Sequence, residues 1–333
     1  MPFSRIVGLG YYVPETVVTN HDLEHLMDTS DAWIQERTGI QQRRFFQHGT
    51  DTVASMAAHA SRQAIERAGL QPADVDFIVF ATITSDYYFP GDGVLLQREL
   101  GLENVGALDV KNQCSGFLYA LAVADQFVRS GMYRTVLVVG AEIQSTFLNK
   151  STEGRNVAVI FGDGAGAMVL QATDSEEHRI LSTHLHSDGR FAEELYVRGP
   201  GGSRPDRWLS EETLTDGSRE VVMNGSTVFK HAIQRFPEVI QEALDANGLT
   251  TADLDLLVPH QANLRISEYV RQKMGLPEEK VVNNIQRYGN TTAASIPIAL
   301  AEAWEGGRVN PGDLVCLAAF GSGFTWASAL IRW

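Results

Sequence analysis

Apolar and polar positions alternate along this chain in two rhythms. Residues 52–68 place apolar side chains at helical spacing and stop at Gly69, and 75–83 then reads as a buried strand. A strand at 107–111 runs into a helix that starts at Cys114, stays apolar nearly all round until Asp125 and stops at Gly131. Strands at 135–142 and 165–171 follow. The same rhythm returns later in the chain. A helix at 227–247 precedes a strand at 254–258, and a helix at 264–274 stopped by Gly275 precedes a strand at 280–284. A helix at 292–305 stops at Gly306–Gly307, and strands at 314–319 and 325–332 close the chain. Helices alternating with short apolar strands predict an α/β layered fold. Residues 187–222 break the pattern with Gly, Pro, charges, Trp208 and Leu209, and read as a long loop or flap.

The rhythm is also a repeat. Residues 64–79, AIERAGLQPADVDFIV, are echoed at 243–258 by ALDANGLTTADLDLLV, with Ala64, Gly69, Leu70, Ala73, Asp74, Asp76 and Val79 recurring at a constant offset. F-G-D-G at 161–164 is echoed by F-G-S-G at 320–323, each leading into an apolar strand. Two echoes in the same order imply duplication, with halves at 1–175 and 176–333.

Composition narrows the function classes. The chain has 333 residues, 44% hydrophobic and 20% charged, with a net charge of −14 that argues against nucleic acid as a partner. Two cysteines allow neither a disulfide framework nor a zinc quartet, and Cys316, inside D-L-V-C-L-A-A-F, reads as strand packing. Neither a signal peptide nor a membrane-spanning run is evident, so the expectation is a cytoplasmic protein without membrane insertion.

Three polar islands interrupt the apolar pattern. Cys114, in D-V-K-N-Q-C-S-G-F, lies where a strand turns into a buried helix. Free N–H groups and a positive dipole at that helix start favour a thiolate, the nucleophilic form. A small buried apolar residue is the alternative reading. P-H-Q-A-N-L-R at 259–265 places His260 and Asn263 at a second strand-to-helix join. Y-G-N-T-T-A-A-S at 288–295 places Asn290 before a small-residue helix, again at an expected strand end. Open α/β sheets bind ligands at such ends, and duplication would bring the three together. Each alone reads more simply as a structural histidine or a helix cap.

Other chemistries fit less well. His184 and His186 share one strand face, but no third metal ligand is evident nearby. G-x-G-x-G at 162–166 precedes a strand where a dinucleotide loop would open a helix. Ser145 has no G-x-S-x-G elbow around it.

As a set, T-S-D-A-W-I-Q-E-R-T-G-I (29–40), C-S-G-F (114–117), F-G-D-G-A-G-A (161–167), P-H-Q-A-N-L-R (259–265), G-N-T-T-A-A-S (289–295) and F-G-S-G-F-T-W (320–326) resemble the ketoacyl synthases of the thiolase-like group, most closely the 3-oxoacyl-[acyl-carrier-protein] synthase III family. The resemblance implies a duplicated five-layer α-β-α-β-α fold, a homodimer, and acyl-CoA as substrate with no cofactor or metal. It implies Cys114 as nucleophile, His260 and Asn290 as the condensing pair, and an oxyanion hole from the backbone N–H groups of Cys114 and Ser322. The product would be a 3-oxoacyl-[acyl-carrier-protein], made by decarboxylating condensation with malonyl-[acyl-carrier-protein]. Thr29, Trp33, Arg37, Arg155, Gly225 and Asn263 match CoA-contacting positions. Lys230, Arg265, Arg271 and Lys273 are expected to offer the acidic carrier protein a basic patch, and Tyr87, Tyr88 and Phe89 to lie near the acyl pocket. Departures at Asn112, Gln113 and Ser322 leave the primer open, and with it the choice of a housekeeping or specialised pathway. The alternatives are an acyltransferase on the same fold that passes its acyl group to an alcohol or amine, and a non-catalytic partner subunit. A degradative thiolase would carry a second cysteine in the loop that here reads F-G-S-G-F, and an elongating synthase a second His in place of Asn290.

Overall fold

The computed structural model describes residues 2–199, 201–202, 210–211 and 215–333. Trp208 and Leu209, in the expected flap, lie outside the described residues.

Two sheets carry the fold. The first has the order β1 (Phe3–Tyr12), β7 (Gly164–Thr173), β6 (Thr135–Glu142), β4 (Phe77–Ala81) and β5 (Gly106–Val110). The second has the order β11 (Leu256–Pro259), β12 (Leu314–Gly321), β13 (Thr325–Arg332) and β8 (Arg179–Ser187). A hairpin, β2 (Thr16–Thr19) with β3 (Gln42–Phe45), and the short pair β9 (Leu195–Tyr196) with β10 (Val222–Met223) stand apart. The two sheets share one plan. Parallel β4 and β6 followed by antiparallel β7 and β1 correspond to parallel β11 and β12 followed by antiparallel β13 and β8.

Side chains of these strands alternate between two buried faces, as the pleat requires. Val79, Val136 and Val138 pack inward with Leu317 and Ala327 around the helices Gly116–Arg129 and Ser295–Glu305. Ile78, Phe80 and Leu137 face outward onto the helix Val53–Arg67. Leu314, Cys316 and Ala318 face the helices Gly225–Ala246 and Leu264–Met274 on the opposite outer side. The order helix, sheet, helices, sheet, helix is the five-layer arrangement. Cys316 is the buried strand residue its context implies.

The sequence repeat has a physical counterpart. Gly69 and Gly248 end their helices at φ of 69° and 66°, a conformation glycine adopts without penalty. Asp76 then accepts from the Thr135 N–H and Asp255 from the Leu314 N–H, both at 2.8 Å, tying each central strand to its neighbour. The copies diverge at one edge. The strand expected at 280–284 is reduced to a single parallel bridge, Leu257 with Val281, and the Val282 N–H donating to the Leu257 carbonyl. Its counterpart β5 keeps five paired residues beside β4. The side chain of Gln261 accounts for the difference: its oxygen accepts from the N–H groups of Asn284 and Ile285 and draws that segment into a one-turn helix, Ile285–Tyr288.

Candidate active site

β5 ends at Val110, and residues 112–115 turn the chain into the helix Gly116–Arg129. Gln113 holds φ at 38° within this turn, a left-handed conformation that costs a non-glycine residue about 1 kcal/mol. Cys114 is thereby set at the start of the middle-layer helix. The end of β12 closes on it from the second sheet. A Cβ at residue 321 would lie 2.5 Å from Cys114 Cβ and 3.1 Å from its sulfur, so only glycine permits this approach. The backbone N–H groups of Ser322 and of Cys114 itself lie near the sulfur and favour its charged form.

The expectation that the helix start would ionise this thiol is not met in the free chain. Burial first, and the charge of Glu142 second, push Cys114 up to about 12, and the two N–H donors offset this only in part. Removing a thiolate from water costs more than one helix start returns.

His260 directly follows β11, its N–H donating to the Ala318 carbonyl of β12 at 2.8 Å. The buried ring has Nδ1 2.6 Å from Ser295 Oγ, while Nε2 is buried without a partner. Burial pushes His260 down to about 3, so the ring is neutral near pH 7. A Ser295 hydroxyl that donates to Nδ1 leaves the ring proton on Nε2.

Asn290 is reached differently from the expectation. It follows the helix Ile285–Tyr288 and Gly289, not a strand end, and is held by a bridge to Phe161 from the first half. Its Oδ1 accepts from the Thr292 N–H at 2.8 Å, which makes Nδ2 the free donor end of the amide. Residues 292–294 pack against the Cys114 turn, a Cβ at Gly116 falling 3.6 Å from Ala293. Cys114, His260 and Asn290 are therefore gathered around one junction of the two sheets.

A second group lies at the hairpin side. Trp33 and Arg37, on the helix Asp31–Thr38, stack with the guanidinium 4.6 Å from the indole centroid, and Arg155 approaches the same ring at 5.5 Å. Arg155 is also paired with Asp28 at 3.2 Å. Asn263 caps the helix Leu264–Met274 and donates from Nδ2 to the Arg37 carbonyl at 2.9 Å, which links the cation cluster to the His260 loop. Thr29 Oγ1, beside this cluster in sequence, is buried without a partner. Gly225 opens the helix Gly225–Ala246 behind its cap Asn224.

Two family models match the chain: 3-oxoacyl-[acyl-carrier-protein] synthase III over residues 108–189 and its C-terminal region over residues 244–333. The β-ketoacyl-[acyl-carrier-protein] synthase III of Thioalkalivibrio sulfidiphilus is 46% identical over 332 residues, covering 100% of both chains. The chain belongs to the 3-oxoacyl-[acyl-carrier-protein] synthase III family. Among solved structures, the synthase III of Aquifex aeolicus superposes with a TM-score of 0.90 at 40% identity, covering 99% of this chain and 100% of that one. The priming β-ketosynthase of the R1128 polyketide pathway gives 0.90 at 35% identity, covering 99% and 96%.

Within this synthase III chain the expected docking residues fall into two places. Lys230 and Arg265 are exposed, Arg265 lying 5.5 Å from the Phe229 ring and one position past the Asn263 cap's neighbour Leu264. Arg271 is instead committed to Glu268 at 2.9 Å and to the Leu276 carbonyl at 3.0 Å. Lys273 sits at the far end of the same helix, in a groove with Pro237, Gln241 and Met274. Tyr87, Tyr88 and Phe89 are 53%, 66% and 80% exposed on the single chain. Both rings of the His184-x-His186 pair approach Glu242, at 3.4 and 2.6 Å, yet among the described residues no three such groups are placed to hold a metal ion.

Four residues that shape the site escape sequence reasoning: Glu142, Gln144, Ser295 and Gly321. Ser295 closes the G-N-T-T-A-A-S motif and Gly321 lies within F-G-S-G-F-T-W, so their signal was membership of a motif whose other residues drew the attention. Glu142 had a signal of its own, a lone charge ending the apolar run T-V-L-V-V-G-A-E. It is fully buried, burial pushing its carboxyl up to about 8. Oε2 accepts from Thr84 Oγ1 at 2.6 Å, while Oε1 is buried without a partner.

Proposed function

We propose that this chain catalyses the decarboxylating condensation of an acyl-CoA primer with malonyl-[acyl-carrier-protein], giving a 3-oxoacyl-[acyl-carrier-protein]. The observation that carries the reading is that each condensing side chain has one end fixed and the other left to donate. Ser295 holds His260 at Nδ1, and Thr292 holds Asn290 at Oδ1. Cys114 attacks the acyl thioester carbonyl, the N–H groups of Cys114 and Ser322 receive the developing oxyanion, and CoA leaves with the thiol proton. Loss of CO₂ from the malonyl group then leaves an enolate, whose oxygen takes hydrogen bonds from His260 Nε2–H and Asn290 Nδ2–H. The enolate carbon attacks the acyl-cysteine carbonyl, and the Cys114 sulfur departs as a thiolate that takes up a proton from solvent to restore the thiol.

Trp33, Arg37 and Arg155 suit an adenine face and phosphates, with Thr29, Gly225 and Asn263 along the arm that leads inward. Lys230 and Arg265 are the stronger candidates for an acidic carrier, since Arg271 is already paired and Lys273 lies at the opposite end of its helix. The open edge of β5, with Leu108 39% exposed, is the surface we assign to a second copy. The adjoining 85–93 loop is fixed to that edge by the Asp92 and Gly93 N–H groups donating to Asp109. Tyr87, Tyr88 and Phe89 reach an acyl group only once that second copy covers them. No helix of the described residues is long and apolar enough to cross a membrane.

The test is intact-protein mass after brief exposure to acetyl-, isobutyryl- and octanoyl-CoA, for wild type and Cys114→Ala, followed by malonyl-carrier protein. One acyl group on the wild type alone, discharged with CO₂ release, is the expected result. Discharge to an alcohol or amine without CO₂ would favour acyl transfer, and no labelling by any donor would favour a silent subunit.

A further inference from the structure

We propose that Gln144 is a positioning residue for the condensing step, acting from the first half of the chain through Thr292 on the Asn290 amide of the second. The proposal rests on the role given to Asn290 above. Gln144 lies two residues beyond the end of β6 and is 4% exposed. Its Nε2 donates to Thr292 Oγ1 at 2.8 Å, spanning 148 residues of sequence. The Thr292 N–H in turn donates to Asn290 Oδ1 at 2.8 Å.

Thr292 is the weak link in that relay. It is β-branched yet holds φ at 50°, a conformation that persists only where the surroundings over-determine it. Gln144, just past the end of β6, supplies the restraint. It grips the Thr292 side chain, and Glu142, itself anchored by Thr82, Ile83 and Thr84, is the buried carboxyl that ends β6 beside it. The direction of the Thr292 N–H fixes which end of the Asn290 amide faces away from it. If that N–H swings aside, the amide is free to turn over and present Oδ1, an acceptor that repels an enolate oxygen. The backbone that abuts the Cys114 sulfur, at Gly321, lies outside this relay. Gln144 therefore affects condensation and spares acylation.

The experiment compares wild type, Gln144→Met, Thr292→Val and Asn290→Ala in two separated half-reactions. Acyl-cysteine formation is followed by intact mass with acetyl-, isobutyryl- and octanoyl-CoA, and single-turnover discharge of that adduct by malonyl-carrier protein is followed by CO₂ release. Met keeps the length of Gln144 without its donor; Val keeps the shape of Thr292 without its hydroxyl. We expect acylation within about twofold of wild type in both variants and discharge slowed about tenfold, against about 100-fold for Asn290→Ala. Should Gln144→Met fail to fold, Thr292→Val carries the same test. Slow discharge in Asn290→Ala with both relay variants at the wild-type rate overturns the proposal. Equal losses in both half-reactions also overturn it, because they report general loosening. Normal discharge in Asn290→Ala overturns the Asn290 role itself, a failure distinct from that of the relay.

Discussion

Cys114 and Cys316 look alike by burial and differ in everything around it. Both thiols are buried, and burial pushes both up to about 12. Cys316 lies mid-strand in β12 among Leu314, Ala318 and Phe320, with only its neighbour's carbonyl at 3.7 Å from the sulfur. Cys114 sits at a helix start with the backbone at Gly321 pressed against it and a carboxyl, Glu142, in its field. A shifted thiol therefore does not mark a nucleophile here. What separates the two thiols is the close approach of the Gly321–Ser322 backbone to Cys114, whose N–H groups would become more useful as charge develops on a bound acyl group.

Gly321 offers the strongest test of that contrast. Gly321→Ala places a methyl 2.5 Å from Cys114 Cβ, so one of the two backbones must move and the Ser322 N–H moves with it. We expect acylation to fall by at least about 100-fold with the fold retained, measured by intact mass and circular dichroism. A rate within about threefold of wild type would show that the close approach has no part in acyl transfer.

The second effect concerns pH. With the thiol at about 12, the thiolate fraction rises about tenfold per pH unit through neutrality, and acylation should follow it from about pH 6 to 8. The Glu142 charge, already part of that raised value, is absent while its carboxyl is protonated below about pH 8, so the thiol lies lower there and the slope should fall as Glu142 ionises. In Glu142→Gln the slope should continue. A flat wild-type profile over the same range would mean that Cys114 is already ionised.

The smallest effect belongs to the other thiol. Cys316→Ala removes a buried sulfur and should cost about 1 kcal/mol of stability, read by urea denaturation, with acylation and condensation within about twofold of wild type. A selective loss of acylation would erase the distinction between the two cysteines.

Much of the architecture was legible because periodicity reports burial. Strands packed on both faces read as continuous apolar runs, and the glycine stops at Gly69 and Gly248 carried through duplication. Residues 280–284 were not legible, because their apolar pattern suits a strand while the Gln261 side chain, some twenty positions earlier, captures the backbone that a strand would need. Cys114, His260 and Asn290 stood out as polar groups in apolar surroundings. Their supports did not. Ser295 fell inside the helix expected at 292–305, and Gln144 just beyond the strand expected at 135–142.

Local composition and spacing were enough for the two-fold repeat, the alternation of layers and the three polar residues of the site, since each is written in neighbouring positions of the chain. Which atoms of those residues remain free was settled only in the assembled fold. That depends on partners as distant in sequence as Gln144 and Thr292, and on Gly321 meeting Cys114 across the two halves. Assembly also reversed the expected charge state of the thiol, because desolvation is a property of the packed core and outweighs the local pull of a helix start.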